Sequence, residues 1–276
     1  MPPVITGHTR LAAVIGSPVR HSRSPLLANA AFEAAGADWR MVALEVAPGA
    51  GAAAVDAVRT LGLGGLMVTM PHKADVIPAL DRLTPAAEAL GAVNSIWWDG
   101  DVLVGDNTDG PGLVAALAHD GVDVAGRRCV VLGAGGAARS IVWALGAAGA
   151  SSVGVCNRTR SRAEDAASLA GPIGSVAGDA EIAAAEIVVN ATSVGMGADA
   201  DDPAALPLDP ALLHPGQVVL DAVYQPLETA LLRAARRAGA QPIDGLGMLV
   251  HQAAITIGRW IGTPPDVTVM DVAARR

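Results

Sequence analysis

Val130-Val-Leu-Gly133-Ala-Gly135-Gly-Ala-Ala138-Arg-Ser140 is the stretch that decides the fold. A short apolar strand, Cys129 to Leu132, runs straight into glycines, and an alanine-rich helix, Ala137 to Ala148, follows. Gly133, Gly135 and Ala138 satisfy G-x-G-x-x-A. In such a turn the first glycine bends the chain and the second lets a pyrophosphate approach the backbone. The third, small residue lets helix and strand pack closely, so phosphate rests on the helix N-terminus. A glycine-rich loop alone also suits any crowded strand-to-helix turn. Here a second strand, Ser152 to Cys156, arrives one helix length later, and the whole pattern points to a dinucleotide-binding unit.

The end of that second strand speaks to the cofactor. Such strands end in Asp or Glu when the ribose carries a free 2′-hydroxyl. This one ends Asn157-Arg158-Thr159-Arg160-Ser161-Arg162, with no acid and three arginines in five residues. The pattern favours a 2′-phosphate, hence NADP over NAD. The blander reading, solvated arginines opening a helix, sets positive charge against the helix dipole.

At 276 residues the chain suits one large or two medium domains. Half of it is apolar but only 3% is aromatic, so the core must come from Ala, Val, Leu and Ile. A net charge of −8 argues against nucleic acid or an anionic membrane as a partner. No apolar run approaches the roughly 20 residues of a membrane span, and the start lacks signal-peptide character. The two cysteines, Cys129 and Cys156, fall in or at the end of strands and read as reduced, buried residues in a cytoplasmic protein. No metal-ligand spacing, Ser-His-Asp arrangement or internal repeat is present. Of 19 basic residues, 18 are arginine, and Lys73 is the sole lysine. Arginine cannot give up its proton in a protein, whereas a lysine ammonium can be tuned to exchange one.

Upstream, residues 11 to 16 read as a buried first strand, followed by Ser17-Pro-Val-Arg-His-Ser22-Arg-Ser24-Pro25. Ser24 before Pro25 is a helix-start signal, with Ser24 as N-cap and a helix to about Ala35. Capping alone would account for Ser24, but not for Ser22 beside Arg20 and Arg23. Two hydroxyls at a helix N-terminus in a basic loop could equally cradle a carboxylate. Met41 to Val46 reads as a strand, Ala50 to Thr60 as a helix, and Gly65 to Met70 as a strand stopped by Pro71. Thr69 to Lys73 therefore sit at a strand's C-terminal end, the edge that faces the ligand crevice in open α/β sheets. His72 reads as a solvent or capping group beside Lys73. Mostly helical residues are expected from Ala74 to Leu90, interrupted near Pro85.

After Gly91-Ala-Val-Asn94, the pair Asp99-Gly100 between apolar runs signals a hairpin, packed by Trp97 and Trp98. Asp106-Asn-Thr108-Asp109 precedes a helix from Leu113 to His119, which Thr108 or Asp109 could cap, at a natural domain crossing. Later strands end at Asn190 and Asp221, and residues 198 to 210 read as a surface loop. Tyr224, the sole tyrosine, follows the second of these strands, and a helix then runs to Ala238. A last helix carries His251 and Gln252 through Trp260.

Eight segments in order resemble the shikimate dehydrogenase family across almost the whole chain. They are Ile15 to Pro18 with His21 to Pro25, Val68 to Lys73, Gly91 to Asn94, Asp106 to Asp109, Gly133 to Arg139, Asn157 to Thr159, Asn190 to Ser193 with Gly195-Met196, and Asp244 to Gln252. The resemblance implies an α/β protein of two domains with an interdomain active-site cleft. Residues 1–108, completed by helices within 245–276, form a substrate and catalytic domain with a mixed sheet. Residues 109–244 form a Rossmann-type NADP domain. It implies that Ser22, Ser24 and Tyr224 hold a substrate carboxylate, and that Thr69, Lys73, Asn94, Asp109 and Gln252 bind ring hydroxyls. Lys73 and Asp109 are the implied catalytic pair. Gly133, Ala134, Gly135, Gly136, Ala137, Asn157, Arg158, Thr159, Arg162, Ala222 and Gly245 are the implied cofactor contacts. The implied reaction is NADPH-dependent reduction of 3-dehydroshikimate to shikimate by a monomer or homodimer.

Two departures mark this chain. The family often has asparagine where Met67 stands, and His-Asn where Ala28-Asn29 stands. Met67 leaves open a paralogue acting on quinate or aminoshikimate, and a non-catalytic NADP-binding regulator is the reading from a different class. Both serines and the Asn-Arg-Thr strand end argue against quinate, and the intact Lys73 and Asp109 argue against the regulator.

Overall fold

The computed structural model describes residues 4–197, 202 and 205–276, which divide into two compact units. One comprises Met1–Thr108 with Val250–Arg276, the other Asp109–Leu249.

The first unit opens with β1 (Arg10–Gly16), α1 (Ser24–Ala34), β2 (Trp39–Glu45), α2 (Gly51–Leu61) and β3 (Gly65–Val68). There follow β4 (Arg82–Leu83), α3 (Pro85–Leu90), β5 (Ser95–Asp99) and β6 (Val102–Asp106). They form a mixed sheet in the order β2-β1-β3-β5-β6-β4. β1 is parallel to both its neighbours, because the helical crossovers return the chain to the same sheet end. β5 runs antiparallel to β3 and β6, the hairpin turning at Gly100 with φ +61°. Edge strand β2 is blunted rather than open. The Asn29 side-chain amide both accepts from the Met41 N–H and donates to its carbonyl, each at 2.9 Å.

Two local expectations fail here. Residues 74–84 are not helical: tight turns lead into a short 3-10 segment (Ile77–Ala79) and then β4. Pro78 has no N–H to continue a helix. The Asp81 carboxylate accepts the Leu103 N–H at 2.7 Å and thereby draws the chain onto β6. That bond, with Arg59 beside it, also lowers the Asp81 pKa. Ser24 is not the N-cap either. It lies inside the helix, Arg23 takes the cap position, and no side chain caps it.

The second unit comprises α4 (Asp109–His119), β7 (Arg128–Leu132), α5 (Gly136–Ala147), β8 (Ser152–Cys156), α6 (Arg160–Ala167) and β9 (Gly174–Val176). It continues through α7 (Asp179–Ala184), β10 (Ile187–Asn190), β11 (Val218–Asp221), α8 (Ala230–Arg237) and β12 (Gln241–Ile243). All six strands are parallel, in the order β12-β11-β10-β7-β8-β9. β7 is central because both its faces are apolar. Cys129 and Val131 enter one core cluster with Ile141 and Val155, while Val130 and Leu132 enter another with Ile182 and Leu231. Burial pushes the Cys129 thiol up to about 12. Leu132, not Cys129, pairs with Cys156, so the two cysteines are offset by three residues, about 10 Å along the strands, too far for a disulfide. Residues 198–201, 203 and 204 of the expected surface loop lie outside the described residues. Its later part is not all surface, since Leu208 is only 9% exposed and packs in a core cluster with Leu213.

The chain ends with α9 (Leu246–Ile261) and α10 (Val267–Ala274), and α10 packs on α1. In the first unit Trp260 stacks on Trp39 with ring centroids 6.2 Å apart, and Phe32 lies against both rings. The Trp260 indole donates to the Ile96 carbonyl at 2.9 Å, across β3, where Gly65 leaves it room. A Cβ at position 65 would lie 2.1 Å from Trp260 Nε1. Gly65→Ala is therefore expected to destabilise the protein by about 1–3 kcal/mol, read as a lower thermal midpoint. An unchanged midpoint would mean that this contact is not tight in solution.

Candidate active site

In the first unit the residues of interest cluster where β1 and β3 end. The Thr69 N–H donates to the Ile15 carbonyl (2.9 Å) and the Ser17 N–H to the Met70 carbonyl (3.0 Å), so the two loops leave the sheet side by side. Gly16 makes this possible, since a Cβ there would meet Thr69 Cγ2 at 2.5 Å. One loop leads to Ser22 and Ser24. The Ser22 hydroxyl accepts the Ser24 N–H at 3.3 Å, while the Ser24 hydroxyl makes no capping bond. The other forms the turn carrying Thr69 and Lys73, both half-buried.

Asn94 joins that turn from the far side. The Val93 N–H donates to the Lys73 carbonyl at 2.7 Å, and the Val68 N–H to the Asn94 carbonyl at 2.9 Å. Asn94 Oδ1 accepts the Thr108 N–H (2.8 Å), with the Thr108 hydroxyl 3.1 Å away. This fixes the amide, so that Nδ2 faces Gln252 Oε1 at 3.5 Å. The same Thr108 hydroxyl lies 3.2 Å from the Gln252 carbonyl, so its role is in this buried cluster. Thr69, Lys73, Asn94 and Gln252 are thus tied into one constellation. Trp97 and Trp98 pack the hairpin as expected. Arg259 lies over the Trp97 ring at 4.1 Å, and the Trp98 indole donates to the Leu63 carbonyl. Asp109, the next residue after Thr108, opens α4 of the second unit and is half-buried.

In the second unit the strand order reverses between β7 and β10, which makes their C-terminal ends the topological switch point. Gly133 takes φ +107° there, a conformation that L side chains rarely adopt, and lies against the Ala191 carbonyl. Ala138 is fully buried in the core under α5. Gly135 and Gly136 are exposed, a Cβ on either would meet nothing within 4 Å, and no side chain caps α5. The first turn of α5 therefore offers backbone N–H groups and the positive end of its dipole to an anion. At the end of β8, Asn157 Nδ2 donates to the Thr159 carbonyl, and Arg160 pairs with Glu164 at 2.9 Å. Among the described residues Arg158 and Arg162 have no carboxylate within ion-pair distance, and both are exposed, as a 2′-phosphate site requires.

Two features escaped the sequence. His72 is fully buried rather than a solvent or capping group. Asp221, also fully buried, accepts from Asn190 Nδ2 (2.8 Å), the Val223 N–H (3.1 Å) and the Thr229 hydroxyl (2.6 Å). Burial raises its pKa against the pull of those bonds. The network ties the loop after β10 to the one carrying Ala222 and the half-buried Tyr224. Gly245 abuts that loop as well, for a Cβ there would lie 2.5 Å from the Ala222 carbonyl. Only the pairing of Asn190 and Asp221 at the ends of neighbouring buried strands could have hinted at it.

A parallel sheet with this switch point, an uncapped helix after its glycine turn and free arginines at the next strand end define a dinucleotide-binding α/β protein. Residues 14–96 match the family model for the shikimate dehydrogenase substrate binding domain, and residues 116–195 match that for shikimate / quinate 5-dehydrogenase. The chain is 44% identical to the shikimate dehydrogenase (NADP(+)) of Moorella thermoacetica, over 98% of this chain and 94% of that one. A solved shikimate dehydrogenase in complex with NADP+ superposes with a TM-score of 0.91 at 34% identity, over 99% of this chain and 96% of that one. The shikimate 5-dehydrogenase of Thermus thermophilus, solved with NADP(H) and shikimate, gives 0.88 at 36% identity, over 97% and 99%. The chain belongs to the shikimate dehydrogenase family.

Because Gly135 is open above and unstrained, Gly135→Val should leave the thermal midpoint near that of the parent. Its side chain would stand where a pyrophosphate must approach, so NADP affinity measured by calorimetry should fall at least about tenfold. Unchanged affinity would place the phosphates elsewhere.

Proposed function

We propose that this chain catalyses the reversible NADPH-dependent reduction of 3-dehydroshikimate to shikimate, a step toward the aromatic amino acids. The carrying observation is the sole lysine, held on the turn after β3 where its carbonyl accepts the N–H of Val93, the neighbour of Asn94, in a chain 44% identical over nearly its whole length to an NADP-dependent shikimate dehydrogenase. We assign the ring substrate to the unit formed by 1–108 with 250–276, and the dinucleotide to 109–249. The bound nicotinamide supplies or accepts the hydride.

The chain's own groups do the rest. Ser22, Ser24 and Tyr224 are the hydroxyls for the substrate carboxylate. Support comes from the Ser24 hydroxyl, which is not used for capping, and from Tyr224, which follows a strand end. Thr69, Asn94 and Gln252 offer donors and acceptors to the ring hydroxyls and orient the carbon that reacts. As the ketone oxygen gains negative charge, the Lys73 ammonium stabilises it and delivers the proton that completes the alcohol. In the oxidative direction the neutral amine takes that proton back. Asp109 is assigned to orient Lys73. Gly133 to Ala137 with Asn157 and Thr159, Ala222 and Gly245 cradle the dinucleotide. Arg158 and Arg162 meet its 2′-phosphate.

We read the active species as a cytoplasmic monomer or homodimer acting on a small carboxylated ring, without nucleic acid or membrane. The net charge of −8 argues against nucleic acid or an anionic membrane as a partner. No described helix is long and apolar enough to cross a membrane. Nicotinamide absorbance followed with shikimate, quinate and aminoshikimate, each against NADP and NAD, tests the reading. Shikimate with NADP is the expected best pair, and a preference for quinate with NAD would overturn both assignments. Lys73→Ala should fold, bind NADP and lose about 10² to 10⁴ in turnover. Near-parental turnover in that variant would remove Lys73 from the mechanism.

A further inference from the structure

The imidazole of His72 is fully buried beneath the turn that presents Thr69 and Lys73. Its Nε2–H donates to the Val46 carbonyl at 2.9 Å. Val46 lies just beyond β2 and is itself anchored, its N–H donating to the Gly16 carbonyl at 3.1 Å. The order β2-β1-β3 makes this a strap across three strand ends, from the turn after β3, over β1, to the loop after β2. His72 also closes the turn on both sides. Its N–H donates to the Thr69 carbonyl (3.1 Å) and its carbonyl accepts the Val76 N–H (3.2 Å). Nδ1 makes no hydrogen bond, and the Asp75 carboxylate lies 3.5 Å away. Asp75 in turn abuts the start of α2, where a Cβ on Gly51 would meet its Cβ at 2.7 Å.

Burying an imidazole costs free energy that a hydrocarbon of similar size would not. A phenyl ring would fill the same space, so packing alone does not explain a polar ring here. The bond to Val46 does, because it fixes how far the turn stands from the sheet. We propose that His72 is a positioning residue, which sets the height and orientation of Thr69 and Lys73 through the Val46 carbonyl. The proposal rests on the functional reading above, in which those two side chains meet the substrate. A shift of about 1 Å in a reacting group costs on the order of 10²-fold in rate, and the bond to Val46 guards against shifts of that size.

The test compares His72→Phe, which keeps volume and loses the donor, with His72→Gln, whose amide nitrogen reaches as far as Nε2. Shikimate oxidation is followed with purified full-length protein, with thermal midpoints and the KM for NADP recorded alongside. His72→Phe should lose about 10- to 100-fold in kcat with the KM for NADP unchanged. His72→Gln should recover most of that loss. Should His72→Phe fail to fold, His72→Leu takes its place with the same expectation. A donor-less variant at parental kcat overturns the proposal, and so does equal loss in the donor-less and Gln variants. Lys73→Ala is the control. If it retains turnover the functional reading fails, whereas its inactivity beside an unimpaired His72→Phe refutes the positioning role alone.

Discussion

The 2.7 Å hydrogen bond from the Val93 N–H to the Lys73 carbonyl joins two segments that are some twenty residues apart in the sequence. On one side is the turn that closes β3, on the other the strand entry that carries Asn94. The bond fixes the backbone of Lys73 on that turn. With it, the only lysine of the chain is referred to the same frame as Asn94, and through Asn94 to Thr108 and Gln252. A long flexible ammonium is useful as a proton donor only when its root is immobile. The backbone here supplies that immobility.

The second unit solves a different problem, how to hold a large anion with few charges. Its parallel sheet brings the N-terminus of α5 to the switch point, where backbone amides are open to an anion. In the proposed reading arginine is then needed only at the periphery, at Arg158 and Arg162. Beneath the site, Asp221 carries a buried carboxyl satisfied by three neutral donors rather than by a cation. A buried polar network satisfied in this way holds its members rigid.

The legible parts of this architecture were those whose chemistry is local. The β7–α5 turn could be read because Gly133 needs a left-handed φ and Ala138 needs a small side chain, both visible in the residue types. Residues 74–84 could not, since their non-helical path depends on the Leu103 N–H meeting Asp81 from a strand some twenty residues away. Ser24 carries the residue type of a cap, but the helix begins one position earlier than its hydroxyl suggests. His72 was the hardest. Nothing in a loop histidine beside a lysine announces full burial, which follows only from the way β1, β2 and β3 are ordered.

The central claim is that one amine exchanges the proton. Because the chain holds a single lysine, an amine-selective reagent such as an acylating ester has only Lys73 and the N-terminal amine to modify. Modification at Lys73, quantified by mass spectrometry, is expected to track loss of shikimate oxidation one to one and to be slowed by shikimate with NADP. Full modification of Lys73 with turnover retained would contradict the account.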